Sequence, residues 1–109
     1  MQEALAQLET TYFTLQSKIG MLLAACQTQE QRDALTTQYV AARSSYWSCV
    51  NKAFHDDDPA VIALTKQLDA ENTQLKASVQ QLGNIKTVID DITQAVNVGS
   101  SLASKVIAM

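Results

Sequence analysis

The chain has 109 residues, of which 47% are apolar and only 17% are charged, and its formal net charge is −3. This length allows one domain and leaves no room for a second independent core. The eight lysines and arginines lie singly along an acidic chain, which argues against a nucleic-acid partner and against binding to anionic membranes. A low fraction of charged residues with an ordinary fraction of apolar residues suggests that more of the protein surface than usual becomes covered.

The N-terminal residues lack the positive region and apolar core of a secretory signal. The longest apolar run, Met21 to Cys26, is too short to span a bilayer. We therefore expect a cytoplasmic protein.

The first element is a predicted helix over about residues 3–27. Apolar residues recur there at alternating spacings of three and four, which is the heptad pattern of a packed helix. The residues of this stripe are Leu5, Leu8, Tyr12, Leu15, Ile19, Leu22 and Cys26.

The second predicted helix covers about residues 29–54 and begins with a capping box, Thr28 with Gln31. All six aromatic residues lie in the first half of the chain, and Trp47 lies one position off the main apolar stripe of this helix. Two interpretations stay open. Trp47 and Phe54 cover the third helical segment, which we favour, or Trp47 faces a partner.

The third segment is helical over about residues 59–107, starting with Asp58 as the cap and Pro59 as the first helical residue. Two alternatives concern Gly83 and Asn84. The segment divides there, giving an up-down four-helix bundle with helices near 3–27, 29–54, 59–82 and 85–108, or it continues as one helix. We favour the continuous helix, because apolar residues recur through the glycine at 75, 79, 82, 85, 89, 92 and 96. One helical glycine costs only about 1 kcal/mol relative to alanine.

Either alternative makes the chain an all-α protein with one antiparallel helical domain over residues 1–109. A continuous third helix of roughly 70 Å would project beyond an α-hairpin of about 40 Å. Its apolar stripe would then need a partner. The predicted partner-binding residues are Trp47, Phe54, Ile89, Ile92, Val96, Leu102 and Val106.

A structural role explains the residues with reactive side chains better than a catalytic or metal-binding role does. Cys26 and Cys49 fall about 30 Å apart in a helical hairpin, too far for a disulfide, so we interpret both as small buried hydrophobic residues. The stretch from Phe54 to Pro59, "FHDDDP", contains the chain's only histidine and three consecutive aspartates. Consecutive residues aim poorly at one metal ion, and a helix start explains the acids and the proline. We therefore predict no metal, no cofactor and no catalytic residues.

These observations favour a non-enzymatic module that binds another protein, itself, or both. Immunity proteins, secretion chaperones and small adaptors are often built as such acidic helical bundles, an analogy of fold alone. The alternative is a membrane-active or pore-associated protein that uses the C-terminal amphipathic segment, although scarce cations weaken it.

Overall fold

The computed structural model describes residues 3–50, 52, 58–81 and 83–108, and within these ranges all regular structure is helical. Four helices follow one another along the chain: α1 (Glu3–Ala25), α2 (Gln29–Cys49), α3 (Pro59–Gln81) and α4 (Ile85–Ala108). They pack into a helical bundle of 42 × 21 × 18 Å. Its radius of gyration of 13.7 Å is close to the roughly 13 Å expected for a compact chain of this length.

The predicted capping box begins α2. The Thr28 hydroxyl accepts a hydrogen bond from the Gln31 amide at 3.1 Å, and the Gln31 side-chain oxygen accepts one from the Thr28 amide at 3.3 Å. The same oxygen accepts from the Gln27 amide at 2.7 Å. Three backbone donors that a helix start leaves without partners are therefore satisfied by two side chains.

The predicted start of α3 is also confirmed. Asp58 Oδ1 accepts hydrogen bonds from the amides of Ala60 at 2.9 Å and Val61 at 3.3 Å, and Pro59 is the first helical residue. Proline suits this position because its missing N–H would have had no partner within the helix.

The continuous third helix that the sequence favoured is wrong, because α3 ends at Gln81 and α4 begins at Ile85. Asn84 starts the new helix: its Oδ1 accepts from the Lys86 amide and its carbonyl from the Val88 amide, each at 3.0 Å. Gly83 does not adopt a left-handed backbone, so the turn does not depend on a glycine there for its conformation.

The turn at Gly83 and Asn84 exists because it lets the chain cover its own apolar stripe. Ile92 and Leu102 on α4 are fully buried, and a continuous helix would have left both in water. Burying one such side chain contributes about 1.5–3 kcal/mol. Several buried side chains together therefore outweigh the cost of leaving two residues outside the helices.

The core consists of two clusters of buried residues. Core cluster 1 joins the later part of α1 and the earlier part of α2 to both sides of the α3–α4 turn, with Leu22, Leu35, Val79 and Ile85 among its members. Core cluster 2 joins Leu8, Tyr46, Cys49, Val61, Leu68, Leu102, Ala103 and Val106, among others. In the described residues α1 and α4 each pack against the other three helices, whereas α2 and α3 do not pack against each other.

Gly99 is a position where side chains of neighbouring helices approach the backbone of α4 closely. A Cβ atom added to Gly99 would lie 3.3 Å from Leu8 Cδ2 and 3.9 Å from Leu68 Cδ2. Gly99 therefore lies within α4 between side chains of α1 and α3.

Candidate protein-binding surface

The structure separates the predicted partner-binding residues into two groups. The five on α4 belong to the core clusters, each with 8% or less of its surface exposed: Ile89, Ile92, Val96, Leu102 and Val106. In this conformation their stripe is covered by the chain itself. Trp47, by contrast, is 54% exposed. Phe54 lies outside the described residues.

Both interpretations of Trp47 stay predictions. Of the predicted third segment, α2 packs against the part that forms α4 but not against α3, and more than half of the Trp47 surface faces solvent. This exposure leaves Trp47 available to a partner, as the second interpretation requires.

Trp47 lies on a continuous exposed face of α2, which we call the α2 ridge. Its members are spaced by three and four residues, so their side chains are neighbours on the helix surface. They are Val40, Arg43, Ser44, Trp47 and Ser48, all exposed. Val40 and Trp47 are 55% and 54% exposed, so the ridge offers two large apolar side chains to a partner.

Trp47 of the ridge packs on a cluster of aromatic rings from α1 and α2. The Trp47 ring meets the buried Tyr46 ring edge-on with centroids 5.2 Å apart. Tyr46 stacks on Tyr12 at 5.8 Å, and Tyr12 stacks on Tyr39 at 5.9 Å. Phe13 contacts Tyr46 at 5.7 Å and is 42% exposed. Aromatic pairs at these separations favour defined ring orientations, so the contact with Tyr46 favours one orientation of the Trp47 ring.

A groove runs beside the ridge between α2 and α4, and we call it the α2–α4 groove. Its lining consists almost entirely of small side chains: Ala41, Ser44, Ser45, Ser48, Ser100, Ala103, Ser104 and Ile107. The hydroxyls of Ser45 and Ser100 lie 3.5 Å apart across it. Ile107 is the large member and is 52% exposed. Small side chains leave room for the backbone of another segment to approach closely.

Burial makes the side chains of Tyr46 and Cys49, next to the ridge and groove, less reactive. Tyr46 donates a hydrogen bond from its hydroxyl to Glu9 Oε2 at 3.3 Å. Burial, and then the charge of Glu9, raises the pKa of Tyr46, which keeps this hydroxyl protonated as a donor. Burial likewise raises the pKa of the Cys49 thiol, so the nucleophilic thiolate is disfavoured.

Both cysteines, Cys26 and Cys49, are buried and free, in agreement with their interpretation as small hydrophobic core residues. Within the described residues no three His, Cys, Asp or Glu side chains come together as metal ligands would. Of "FHDDDP", the structure describes only Asp58 and Pro59, so the predictions for the rest of this stretch lie outside the described residues.

None of the four helices, over the residues described, is both long enough and apolar enough to cross a membrane.

The sequence predicts Trp47 as a candidate binding residue but does not reveal the groove. The available signal was the serine pattern, Ser44-Ser45 with Ser48 on α2 and Ser100-Ser101 with Ser104 on α4. Each set repeats at helical spacing, which places it on one helix face. That the two faces adjoin could not be known before α2 and α4 were known to pack together.

Comparison with known proteins gives no relative: no protein family, no curated protein and no solved structure matches this chain.

Proposed function

We propose that this protein is a non-enzymatic protein–protein interaction module whose binding surface is the α2 ridge with the adjoining α2–α4 groove. The observation that supports it most is Trp47, which is 54% exposed although most of the other large apolar residues that the structure describes are buried. Tryptophan is among the residues that most often dominate binding energy at interfaces, because it buries a large area with few rotatable bonds.

The proposed surface contains two features besides the exposed Trp47 ring, namely further exposed apolar residues and the groove. Val40 and Ile107 are 55% and 52% exposed, and with Trp47 they are the three most exposed large apolar residues described. They belong to the ridge or to the lining of the groove beside it. Exposed large apolar residues beside a groove are typical of sites that a partner covers.

We further infer that the helices run up and down in alternation. Support comes from the two core clusters: the early part of α1 shares core cluster 2 with the late parts of α2 and α4 and the early part of α3. Such sharing is expected when successive helices reverse direction. On this arrangement Trp47 and Ile107 lie towards the same end of the bundle.

In this proposal, the α4 residues that the sequence predicted to bind a partner have a structural role instead. Ile92 and Leu102 are completely buried, so a partner could reach them only if α4 left the bundle. We therefore assign them to stabilising the surface that α4 shares with α2, and assign binding to Trp47, Val40 and Ile107.

Affinity capture from extracts of the cells that produce this protein tests the proposal. Wild-type chain and Trp47→Ser are immobilised side by side, and captured proteins are identified by mass spectrometry and then titrated as purified components. We expect one partner to bind wild type and to bind Trp47→Ser at least about 30-fold more weakly, as for a truncated anchor residue.

Ile62→Ser is the matched control, because Ile62 is an exposed large apolar residue on α3, at 39%, and lines neither ridge nor groove. It should bind the partner as wild type does. Equal capture of the partner by wild type and Trp47→Ser would contradict the proposal. Equal weakening by both substitutions would show general stickiness instead of a site.

A further inference from the structure

The α2 ridge continues onto α1 through the Tyr46 ring. The centroid of the Trp47 ring lies 5.2 Å from that of Tyr46, and the centroid of the Phe13 ring lies 5.7 Å from it. Trp47 and Phe13 are 54% and 42% exposed. Two exposed rings, one on each helix, therefore flank one buried ring. We call this surface, Phe13 with Tyr46 and Trp47, the aromatic patch.

One charge of each sign borders the aromatic patch. Glu9 on α1 is exposed and accepts the hydrogen bond from the Tyr46 hydroxyl, so it lies beside the patch. Arg43 on α2 is exposed. Burial raises the pKa of Tyr39, and the nearby charge of Arg43 lowers it in part. Because Tyr39 stacks on Tyr12 of α1, this neighbour places Arg43 on the α1 side of α2.

The two rings and the two charges alternate around the patch. Phe13 follows Glu9 by four residues and Trp47 follows Arg43 by four, so each pair lies about one turn apart on one side of its helix. In the up-and-down arrangement α1 and α2 run in opposite directions. The hydrogen bond from Tyr46 puts Glu9 level with Trp47, and hence Phe13 level with Arg43. The exposed rings therefore lie on one diagonal of the patch, and the charges lie on the other.

This alternation makes the patch complementary to itself. A two-fold symmetric dimer places the same surface of each copy against the other. When the two-fold axis runs along the diagonal that joins Phe13 and Trp47, each ring packs against its counterpart, and Glu9 of each copy faces Arg43 of the other. Opposite charges across an interface favour such pairing, and the symmetry makes each ion pair occur twice. A partner with a different surface would have to supply both charges at matching positions.

We propose that the partner of the α2 ridge is a second copy of this chain, in a two-fold dimer that buries Phe13 and Trp47 of both copies and pairs Glu9 of each copy with Arg43 of the other. This inference rests on the proposed function and names the partner of the ridge. It concerns the ridge and its α1 side, and leaves the α2–α4 groove outside the contact.

Self-association is measured by sedimentation velocity over a series of concentrations of the purified chain. We expect folded monomers in dilute solution, since the core clusters are complete within one copy, and a dimer at higher concentration. Trp47 is the only tryptophan of the chain, so its emission should shift to shorter wavelength as the dimer forms.

Variants of the exposed rings test the apolar part of the contact. Phe13→Ser and Trp47→Ser should each weaken the dimer at least about tenfold, because each substitution removes a ring from both copies. Ile62→Ser is the matched control: Ile62 is 39% exposed on α3, and its substitution should leave the dimer as in wild type.

Charge reversal tests which residues face each other. Glu9→Arg leaves only cations beside the patch and Arg43→Glu leaves only acids, so each variant alone should dimerise at least about tenfold more weakly than wild type. Mixing the two variants restores both ion pairs, and we expect a one-to-one heterodimer that is tighter than either homodimer. Lys76→Glu reverses an exposed cation on α3 and should dimerise as wild type does. Glu9→Arg also removes the acceptor of the Tyr46 hydroxyl. Recovery in the mixture is therefore the decisive readout, because a folding defect would not recover.

Three results would overturn the inference. A wild-type chain that stays monomeric at every concentration excludes the second copy, and the capture experiment then decides the proposed function separately. A dimer that Trp47→Ser does not weaken would place self-association on another surface, and capture would again decide the proposed function. A dimer that Trp47→Ser weakens, with no heterodimer in the mixture, would refute the pairing of Glu9 with Arg43 while keeping the ridge as the binding surface.

Discussion

Asn72 shows how single residues determine the packing of this bundle. Its side chain is 98% buried between α1 and α3, in a stripe of α3 that is otherwise apolar except for Thr65. Asn72 Oδ1 accepts from the Thr11 hydroxyl at 2.6 Å, and Asn72 Nδ2 donates to the Gln7 carbonyl at 3.0 Å and to Gln7 Oε1 at 2.9 Å. Satisfied buried networks of this kind favour one alignment of two helices over others.

The network gives a prediction for Asn72→Ala. The substitution removes three hydrogen bonds between α1 and α3 and leaves the buried Thr11 hydroxyl with only the Gln7 carbonyl of its own helix, so we expect the free energy of unfolding in urea to fall by about 2 kcal/mol. Thr11→Val alone should also destabilise, because it leaves the buried Asn72 Oδ1 unpaired. The double variant Thr11→Val/Asn72→Leu should lose clearly less than the two single losses added, because neither side then keeps an unpaired polar group. Strictly additive losses would show that the hydrogen bonds do not couple α1 to α3.

The helices are the part of the structure that the sequence predicts best. The heptad stripe of α1 and the caps at Thr28 and Asp58 are local features, and the structure confirms each within two residues of the predicted start. The α3–α4 turn was mispredicted because its decisive contacts are not local. The positions 79, 82 and 85 are separated by two successive threes, which look continuous in sequence, yet the chain turns there so that α4 can pack on three other helices.

Asn84 is the local residue on which this turn depends. Asn84→Ala removes the side-chain oxygen that accepts from the Lys86 amide, and we expect it to destabilise the protein by about 1 kcal/mol in chemical unfolding. Thr28→Ala, which removes the cap of α2, should cost a similar amount. Gly83→Ala is the control: no left-handed backbone and no atom within 4 Å oppose a Cβ there, so its stability should stay equal or rise slightly. A large loss from Gly83→Ala with none from Asn84→Ala would contradict this account of the turn.

At the scale of the whole molecule, the sequence showed which residues are apolar but not which of them the chain would cover. The α4 stripe and Trp47 look equally available in sequence, because both are apolar residues at helical spacing. Burial is decided by which helices adjoin. α4 packs against the other three helices, whereas the outward face of α2 packs against none in the described residues. Five of the seven predicted partner-binding residues thus became core, and Trp47 remained exposed.

The most direct test of this assignment compares the unfolding of two truncations, Trp47→Ala and Ile92→Ala, by urea denaturation under the same conditions. Ile92 is completely buried in core cluster 1, so its truncation should cost about 2–5 kcal/mol through lost burial and the cavity left behind. Trp47 is 54% exposed, so its truncation should cost under about 1 kcal/mol. A large loss for Trp47→Ala together with a small loss for Ile92→Ala would contradict the account, because it would place Trp47 in the core and the α4 stripe at the surface.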